Sequence, residues 1–344
     1  ATYFMNKNAV ILNDTSTALH HGCEVVMENI KKLLLKNDIK IIDTNPVDLN
    51  WRKNSNFIHN MNKADIVVVN GEGTLHHSQP TAMELVIVGK YVKESLGIPV
   101  VLINSTIQNN NSLFYDYLKY FDMVFVRETL SQDELLKHDI KSEVVPDMSF
   151  YSRFNLLNKR NGHKIGITDS VYLDFSEKMY NFSLENKYYF LPILTDIKFI
   201  SYAPISALRI AKYFAIKIIK LLLNELNCTF KYKSKRVFFY SKSYNQYTQN
   251  IAKLSFLIVG RYHSLCFSLK TLTPFVAFKS NSFKIEGIMQ DVGIKIGRIQ
   301  EFNQLNIEEY REFTHSEVIK IKAYTDKAPC EIDQMFKKIY KLIV

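Results

Sequence analysis

The chain has only four cysteines, at Cys23, Cys228, Cys266 and Cys330, and no two are spaced as a metal-binding or redox Cys-x-x-Cys pair. They read as free thiols in a reducing compartment. No uncharged run is long enough to cross a bilayer, and no signal peptide precedes the first strand-like segment. The expected location is therefore cytoplasmic, with attachment to the inner membrane face left open. Basic residues outnumber acidic ones 44 to 34, a formal net charge of +10, yet no arginine-rich run concentrates them. Nucleic acid is thus not an expected partner, and the surplus suits an anionic small molecule or an anionic membrane surface. Also missing are a Gly-x-Gly-x-x-Gly dinucleotide fingerprint, a Walker phosphate loop and a nucleophile elbow. Their absence argues against a dehydrogenase, a kinase and a serine hydrolase. The histidines of the two N-terminal loops lack metal-ligand spacing, so neither metal nor cofactor is expected.

What is present is an alternation of short apolar runs with helical periodicity. Strand-like segments lie at 8–12, 39–42, 66–69, 99–103, 123–126 and 144–145. Helical patterns lie at 22–37, 82–96, 113–120 and 130–138. Strands apolar on both faces predict a parallel sheet covered by helices. After a polar stretch at 153–163 the pattern restarts with strands at 164–168, 236–240, 256–259 and 274–278 and a helix at 246–254. The 344 residues are too many for one ordinary core. The expected fold is α/β, with two Rossmann-like domains, 1–152 and 164–344, facing a cleft. The stretch 172–227 is rich in aromatics and ends in an apolar helix near 205–226. Its Arg209, Lys212, Lys217 and Lys220 share one face. Such a helix either lies on an anionic bilayer surface or covers a domain with a solvated basic stripe.

Four loops carry the candidate chemistry. The most informative is Val259-Gly-Arg-Tyr-His-Ser264, an apolar strand running straight into Arg261, His263 and Ser264. Ligands bind outside the carboxyl ends of strands in open α/β sheets. Arg261 offers a fork for a carboxylate or phosphate, and His263 can hold a second oxygen or move a proton. The structural alternative is an ion pair at Arg261 and a satisfied loop histidine. Asn70-Gly-Glu-Gly-Thr-Leu-His-His77 puts Gly71 and Gly73 around a single carboxylate. Glu72 is the candidate base toward a sugar hydroxyl, with His76 and His77 as secondary candidates. Asn13-Asp-Thr-Ser-Thr-Ala-Leu-His-His-Gly22 joins the first strand to the first helix. Its helix N-terminus, with Asn13, His20, His21 and Glu24 nearby, suits oxygen-rich ligands, or else is a polar loop capped by Thr or Ser. Arg127 in Val126-Arg-Glu-Thr-Leu-Ser131 can bind an anion or pair with Asp147 or Glu128. Lys279 and Lys284 can add positive charge near Arg261, or stay solvated.

Together these segments resemble the polysaccharide pyruvyl transferase family. The matching pieces come in the family's order: His21-Gly-Cys-Glu24, residues 64–74 with the Asn-Gly-Glu-Gly-Thr turn, Val126-Arg-Glu-Thr-Leu-Ser131 leading to Pro146-Asp147, Val259-Gly-Arg-Tyr-His-Ser264, and Thr273-Pro-Phe-Val-Ala-Phe-Lys279. The resemblance covers about residues 8–150 and 236–290. It implies a GT-B-like enzyme that transfers pyruvate from phosphoenolpyruvate to a cell-surface saccharide, lipid-linked or free, as a cyclic ketal. Arg261, His263 and Ser264, with Arg127 and Lys279, would bind the donor. Glu72, His263 and His21 would do the proton chemistry. Asn13, His20, His21, Gly71, Gly73 and His76 would face the acceptor. The first loop departs from the family: Asp14-Thr15-Ser16 and two adjacent histidines stand where a Gly-Asn pair is frequent. Two rivals are a glycosyltransferase using a nucleotide sugar, such as a CMP-linked acidic sugar, and a non-catalytic membrane-docked assembly protein on the same fold.

Overall fold

The computed structural model describes residues 7–154, 164–194 and 241–344. The first half alternates β1 (Lys7–Asp14), α1 (His21–Lys36), β2 (Ile39–Pro46), α2 (Ser55–Met61), β3 (Ile66–Glu72), α3 (Pro80–Tyr91), β4 (Val100–Ser105), α4 (Ser112–Leu118), β5 (Met123–Val126), α5 (Thr129–Leu136) and β6 (Glu143–Val144). The six strands form one sheet in the order β2-β1-β3-β4-β5-β6, and every pairing is parallel. Side chains alternate across it as the period of two requires. Ala9 and Ile11 pack with Val25, Val26, Ile30, Leu33 and Leu34 of α1. Val10 and Leu12 point the other way, toward Trp51, Phe57 and Val86.

The second half contributes β7 (Ile165–Thr168), α6 (Leu173–Glu185), β8 (Tyr189–Leu191), α7 (Tyr244–Ala252), β9 (Phe256–Val259), α8 (Tyr262–Lys270), β10 (Phe275–Ala277), α9 (Lys284–Val292) and α10 (His315–Lys341). Its strands are ordered β10-β9-β7-β8, again all parallel. The α/β fold with two parallel sheets is thus as the alternation predicted. The long α10 starts on a capping box between Thr314 and Glu317. It returns to the first sheet, where Ile321, Ala328, Ile332, Met335, Phe336 and Ile339 join the core that holds α1. Lys36 bonds Asp333 at 2.8 Å, and Tyr324 meets Phe150 edge-on.

Some boundaries shift for local reasons. The helix expected at 82–96 begins two residues earlier, with Pro80 in its first turn, where a missing N–H costs nothing. It loosens into a π-turn at Val92–Leu96, and Gly97 ends it in the left-handed region (φ 66°). The strand expected at 66–69 runs on to Glu72 and so carries the candidate carboxylate on its own tip. The strand expected at 236–240, the basic helix near 205–226 and most of the polar stretch at 153–163 lie outside the described residues. Among the described residues no helix is long and apolar enough to cross a membrane.

Candidate functional site

Each sheet reverses its winding order once, between β1 and β3 in the first and between β7 and β9 in the second. Such switch points open a crevice at the carboxyl ends of the strands. The carboxyl ends of the two sheets face each other, and the candidate residues gather where the two crevices meet.

At the first switch point Glu72 is buried. It accepts from Thr15 Oγ1 at 2.5 Å and Asn70 Nδ2 at 2.9 Å on Oε1, and from Cys23 Sγ at 3.3 Å on Oε2. Its backbone sits in the left-handed region (φ 41°), which costs a non-glycine residue about 1–2 kcal/mol. Strain of this kind concentrates at functional sites. Asn13 and Gly71 are structural here. Asn13 Nδ2 donates to the Asn70 carbonyl at 2.6 Å, latching β1 to β3. A Cβ on Gly71 would lie 2.4 Å from Ser105 Cβ, so only glycine lets β3 and β4 approach there.

The first loop differs from expectation at its helix start. Neither a serine nor a threonine caps α1. The ring of His20 does, with Nδ1 accepting from Gly22 N at 3.0 Å and Cys23 N at 3.3 Å. His21 is turned the other way. Its Nδ1 meets Glu24 Oε2 at 3.3 Å and its Nε2 meets the Ser241 carbonyl at 3.1 Å, so both ring nitrogens are taken in a tie between the halves. Gly22 packs directly against the other half: a Cβ there would stand 2.2 Å from His263 Cγ. Gly22→Ala should therefore displace the His263 ring and lower stability by about 1–3 kcal/mol, the usual cost of overpacking. Urea unfolding checks this; an unchanged midpoint would mean the contact yields freely.

Arg127 and Asp147, both fully buried, form the centre of the cleft floor. Arg127 Nη1 reaches Asp147 Oδ2 at 2.9 Å, and Thr106 Oγ1 takes bonds from Nε at 3.2 Å and Nη2 at 2.8 Å. The guanidinium lies 4.2 Å over the Tyr262 ring, which belongs to the opposite half. Of the alternatives read from the sequence, pairing with Asp147 is the one seen. Nη2 also comes within 3.9 Å of where a Gly73 Cβ would be, so the guanidinium borders the Glu72 turn. Asp147 Oδ1 accepts from Ser149 N at 2.9 Å and stands 3.5 Å from His263 Nε2. That nitrogen is buried and has no hydrogen-bond partner among the described residues. Burial alone would raise the Asp147 carboxyl, but His263, Arg127 and the Ser149 N–H outweigh it and hold it far below the usual carboxylate range. Neighbouring Glu128 is pushed up to about 7 by burial, which the charge of Arg127 and bonds from Ser131 and Thr106 only partly offset.

At the second switch point Arg261 pairs with Asp169, through Nε at 3.0 Å and Nη2 at 2.9 Å, at the tip of the neighbouring strand. The ion pair and the cleft position coexist, because the side chain keeps 14% exposure. Ser264 is not open to the cleft. Its Oγ is 2.9 Å from Tyr247 OH, which donates to the Leu191 carbonyl at 3.2 Å. Lys279 is exposed at the surface, whereas Lys284 is buried in the cleft. Lys284 Nζ donates to Asn281 Oδ1 at 2.6 Å and stands 3.3 Å from where a Gly73 Cβ would be. Among the described residues no carboxylate lies within ion-pair distance of it. Burial, then the charges of Arg127 and Arg261, push its ammonium down to about 7. His76 reaches the same loop, 3.2 Å from Asn281 Nδ2. Burial and Lys284 hold it at about 4, so it is a neutral ring.

The structure thus gathers Glu72, Gly73, His76, Arg127, His20, Arg261 and His263, and it places His21 in a tie to Ser241, Ser264 against Tyr247 and Lys279 at the surface. Sequence reasoning gave no site role to Thr15, Thr106 or Asp169 and left Lys284 open. Asp169 had a signal: it ends an apolar strand, as Glu72 and Arg261 do.

The shape of the chain has solved counterparts. The UDP-GlcNAc 2-epimerase of Neisseria meningitidis, bound to UDP-GlcNAc, superposes with a TM-score of 0.54 at 14% identity, over 96% of this chain and 100% of that one. The Methanocaldococcus jannaschii UDP-GlcNAc 2-epimerase, in complex with UDP-GlcNAc and UDP, gives 0.50 at 12% identity, over 93% and 99%. At such identities the likeness establishes a GT-B-like fold alone. No curated protein matches the chain. The family model for polysaccharide pyruvyl transferase, by contrast, matches residues 20–282, a span that holds His20, Glu72, Arg127, Arg261 and His263 and stops just short of Lys284. A transferase of the polysaccharide pyruvyl transferase family is what this chain is.

Proposed function

We propose that the cleft transfers the pyruvyl group of phosphoenolpyruvate to two hydroxyls of a saccharide, forming a ketal. The observation that carries this reading is the charge balance around Gly73. Arg127 has Asp147 and Arg261 has Asp169, but among the described residues Lys284 bonds only a neutral amide, and Glu128 and Glu72 act on it from beyond ion-pair distance. A buried ammonium without a counter-charge is costly unless a ligand supplies one. A small anion carrying both carboxylate and phosphate suits Lys284 and Arg261, with the buried charge of Arg127 behind them.

The chemistry follows from these groups. The methylene carbon of the donor gains a proton and C2 becomes oxocarbenium-like. One sugar hydroxyl adds to C2 while Glu72 takes its proton. Phosphate leaves, and a second hydroxyl closes the ketal. Of the two hydroxyl protons released, one balances that gained by the methyl group and the other leaves with phosphate. His263, with Nε2 beside Asp147, is the candidate acid. The cations stabilise the charge of departing phosphate.

The test is a thermal-shift comparison of phosphoenolpyruvate with CMP-, UDP- and GDP-sugars, on wild type and Arg261→Ala. Stabilisation by phosphoenolpyruvate that the variant loses is the expected result. Stabilisation by a nucleotide sugar alone would move the chain to the glycosyltransferase reading, which the GT-B-like fold also accommodates. The partner class in either case is a saccharide acceptor. Whether the basic segment near 205–226 meets an anionic membrane can be read by flotation with anionic vesicles in low salt.

A further inference from the structure

We propose that His20 is a neutral hydrogen-bond donor of fixed orientation in the cleft, with Nδ1 spent on capping α1 and Nε2–H offered to an oxygen of the bound donor. Helix caps are ordinarily Ser, Thr, Asp or Asn, whose oxygens have several lone pairs. An imidazole nitrogen has one lone pair, and it accepts only when unprotonated. The two backbone donors on Nδ1, Gly22 N at 3.0 Å and Cys23 N at 3.3 Å, therefore require the ring proton on Nε2. Protonating Nδ1 would set an N–H against two N–H groups at the positive end of a 16-residue helix.

The ring cannot easily turn to escape this. The His20 carbonyl accepts from Glu24 N at 3.0 Å, and His20 bridges to Leu194 of the other half. His21 N donates to the Ile193 carbonyl at 3.1 Å, and the ring meets His263 edge-on at 5.5 Å. The charges that weigh most on it are those of His263, Arg261, His21 and Lys284, all of one sign, while Glu24, Asp147 and Asp169 face it only through His21, His263 and Arg261. Burial first and these four next hold it well below the ordinary histidine value. Nε2 lies on the ring edge away from the helix, and nothing among the described residues takes it.

His20 is then neither base nor acid. Its one free nitrogen already carries a proton, and giving that proton up would leave an imidazolate. It adds a directed bond to a carboxylate or phosphate oxygen without adding charge to a cluster that already holds Arg127, Arg261 and Lys284. The tautomer stands on the cap geometry alone, while the choice of oxygen rests on the pyruvyl-transfer reading.

Two measurements on the full chain test the two parts separately. Long-range proton–nitrogen correlation on ¹⁵N-labelled protein, with His20 assigned by its absence in His20→Asn, should show a protonated Nε2 and a bare Nδ1, unchanged from pH 5 to 8. A protonated Nδ1, or titration within that range, overturns the proposal. For the ligand, His20→Asn keeps a capping oxygen and should keep the melting temperature, whereas His20→Ala should lower it. Affinity of the Asn variant for phosphoenolpyruvate should fall about tenfold or more, as for a lost bond to a charged group, by the same factor at every pH. A pH profile whose inflection moves in the variant, or an unchanged affinity, overturns the donor role. If wild type binds no phosphoenolpyruvate, the pyruvyl reading fails along with the assigned oxygen, and the nitrogen spectra still decide the tautomer.

Discussion

Asp147→Asn is expected to destabilise the protein by about 3–5 kcal/mol, the cost of leaving one partner of a buried ion pair unmatched. Asp147 is 0% exposed and Arg127 is 1% exposed, so no water can replace the lost charge. The amide can still accept from Ser149 N, and the volume hardly changes. The loss is therefore one of charge, felt by Arg127 at 2.9 Å and by His263 at 3.5 Å. The pH dependence has a definite sign. The folded carboxyl lies far below the ordinary aspartate value of about 3.9. Its contribution is thus complete above that ordinary value and is lost only as pH falls from there toward the folded value. Urea unfolding of wild type and variant should differ fully at pH 5 to 7 and converge below about pH 4. A difference under about 1 kcal/mol at pH 7 would mean that Arg127 is solvated or satisfied by Thr106 and Tyr262 alone. Because Asp147 links a cation of the first half to the histidine of the second, the variant should also lose turnover beyond what instability explains.

How much of this was legible depends on whether the signal was local. The strands at 66–69, 123–126 and 256–259 announce themselves, since four consecutive apolar residues must be buried on both faces of a parallel sheet. Their tips follow: Glu72, Arg127 and Arg261 stand at the ends of such strands, where polar residues face a crevice. What the sequence could not say is which polar residues pair with each other. Arg127 and Asp147 are twenty residues apart, and Arg261 and Asp169 ninety-two, and only the sheet order brings them together. His20 and His21 are chemically identical on paper. The turn into α1 sends one ring onto the helix start and the other into a tie with Ser241. Of the two lysines after β10 the sequence favours Lys279 for the donor, but α9 begins at Lys284 and turns that one inward, while Lys279 is exposed. The helix α6 and strand β8 went unread because aromatic residues there obscure the periodicity that marks the other elements.

Lys284→Met should show stability and function pulling in opposite directions. In the unfolded chain the lysine titrates near 10.4, and in the cleft it is pushed down to about 7. Between those values the unfolded state holds a proton that the folded state does not, so folding is penalised progressively as pH falls from 10.4 to 7 and constantly below. Methionine of similar length removes that penalty while losing only the bond to Asn281. The variant is expected to be more stable than wild type by about 2–4 kcal/mol at pH 7, with the gain vanishing near pH 10. Urea unfolding at the two pH values reads this directly, and a variant less stable than wild type at pH 7 would contradict it. The functional arm runs the other way. A bound anion restores the charge of the ammonium, so wild type should take up a proton on binding phosphoenolpyruvate above pH 7. Its affinity should be flat below pH 7 and fall as pH rises through it. Without the ammonium, the pH dependence should disappear and turnover should drop by about 100- to 1,000-fold, as when one preorganised charge-stabilising donor is removed. A loss of turnover paired with a gain of stability is the signature expected of a lysine held in place for an anion, and an ordinary buried lysine would not give it.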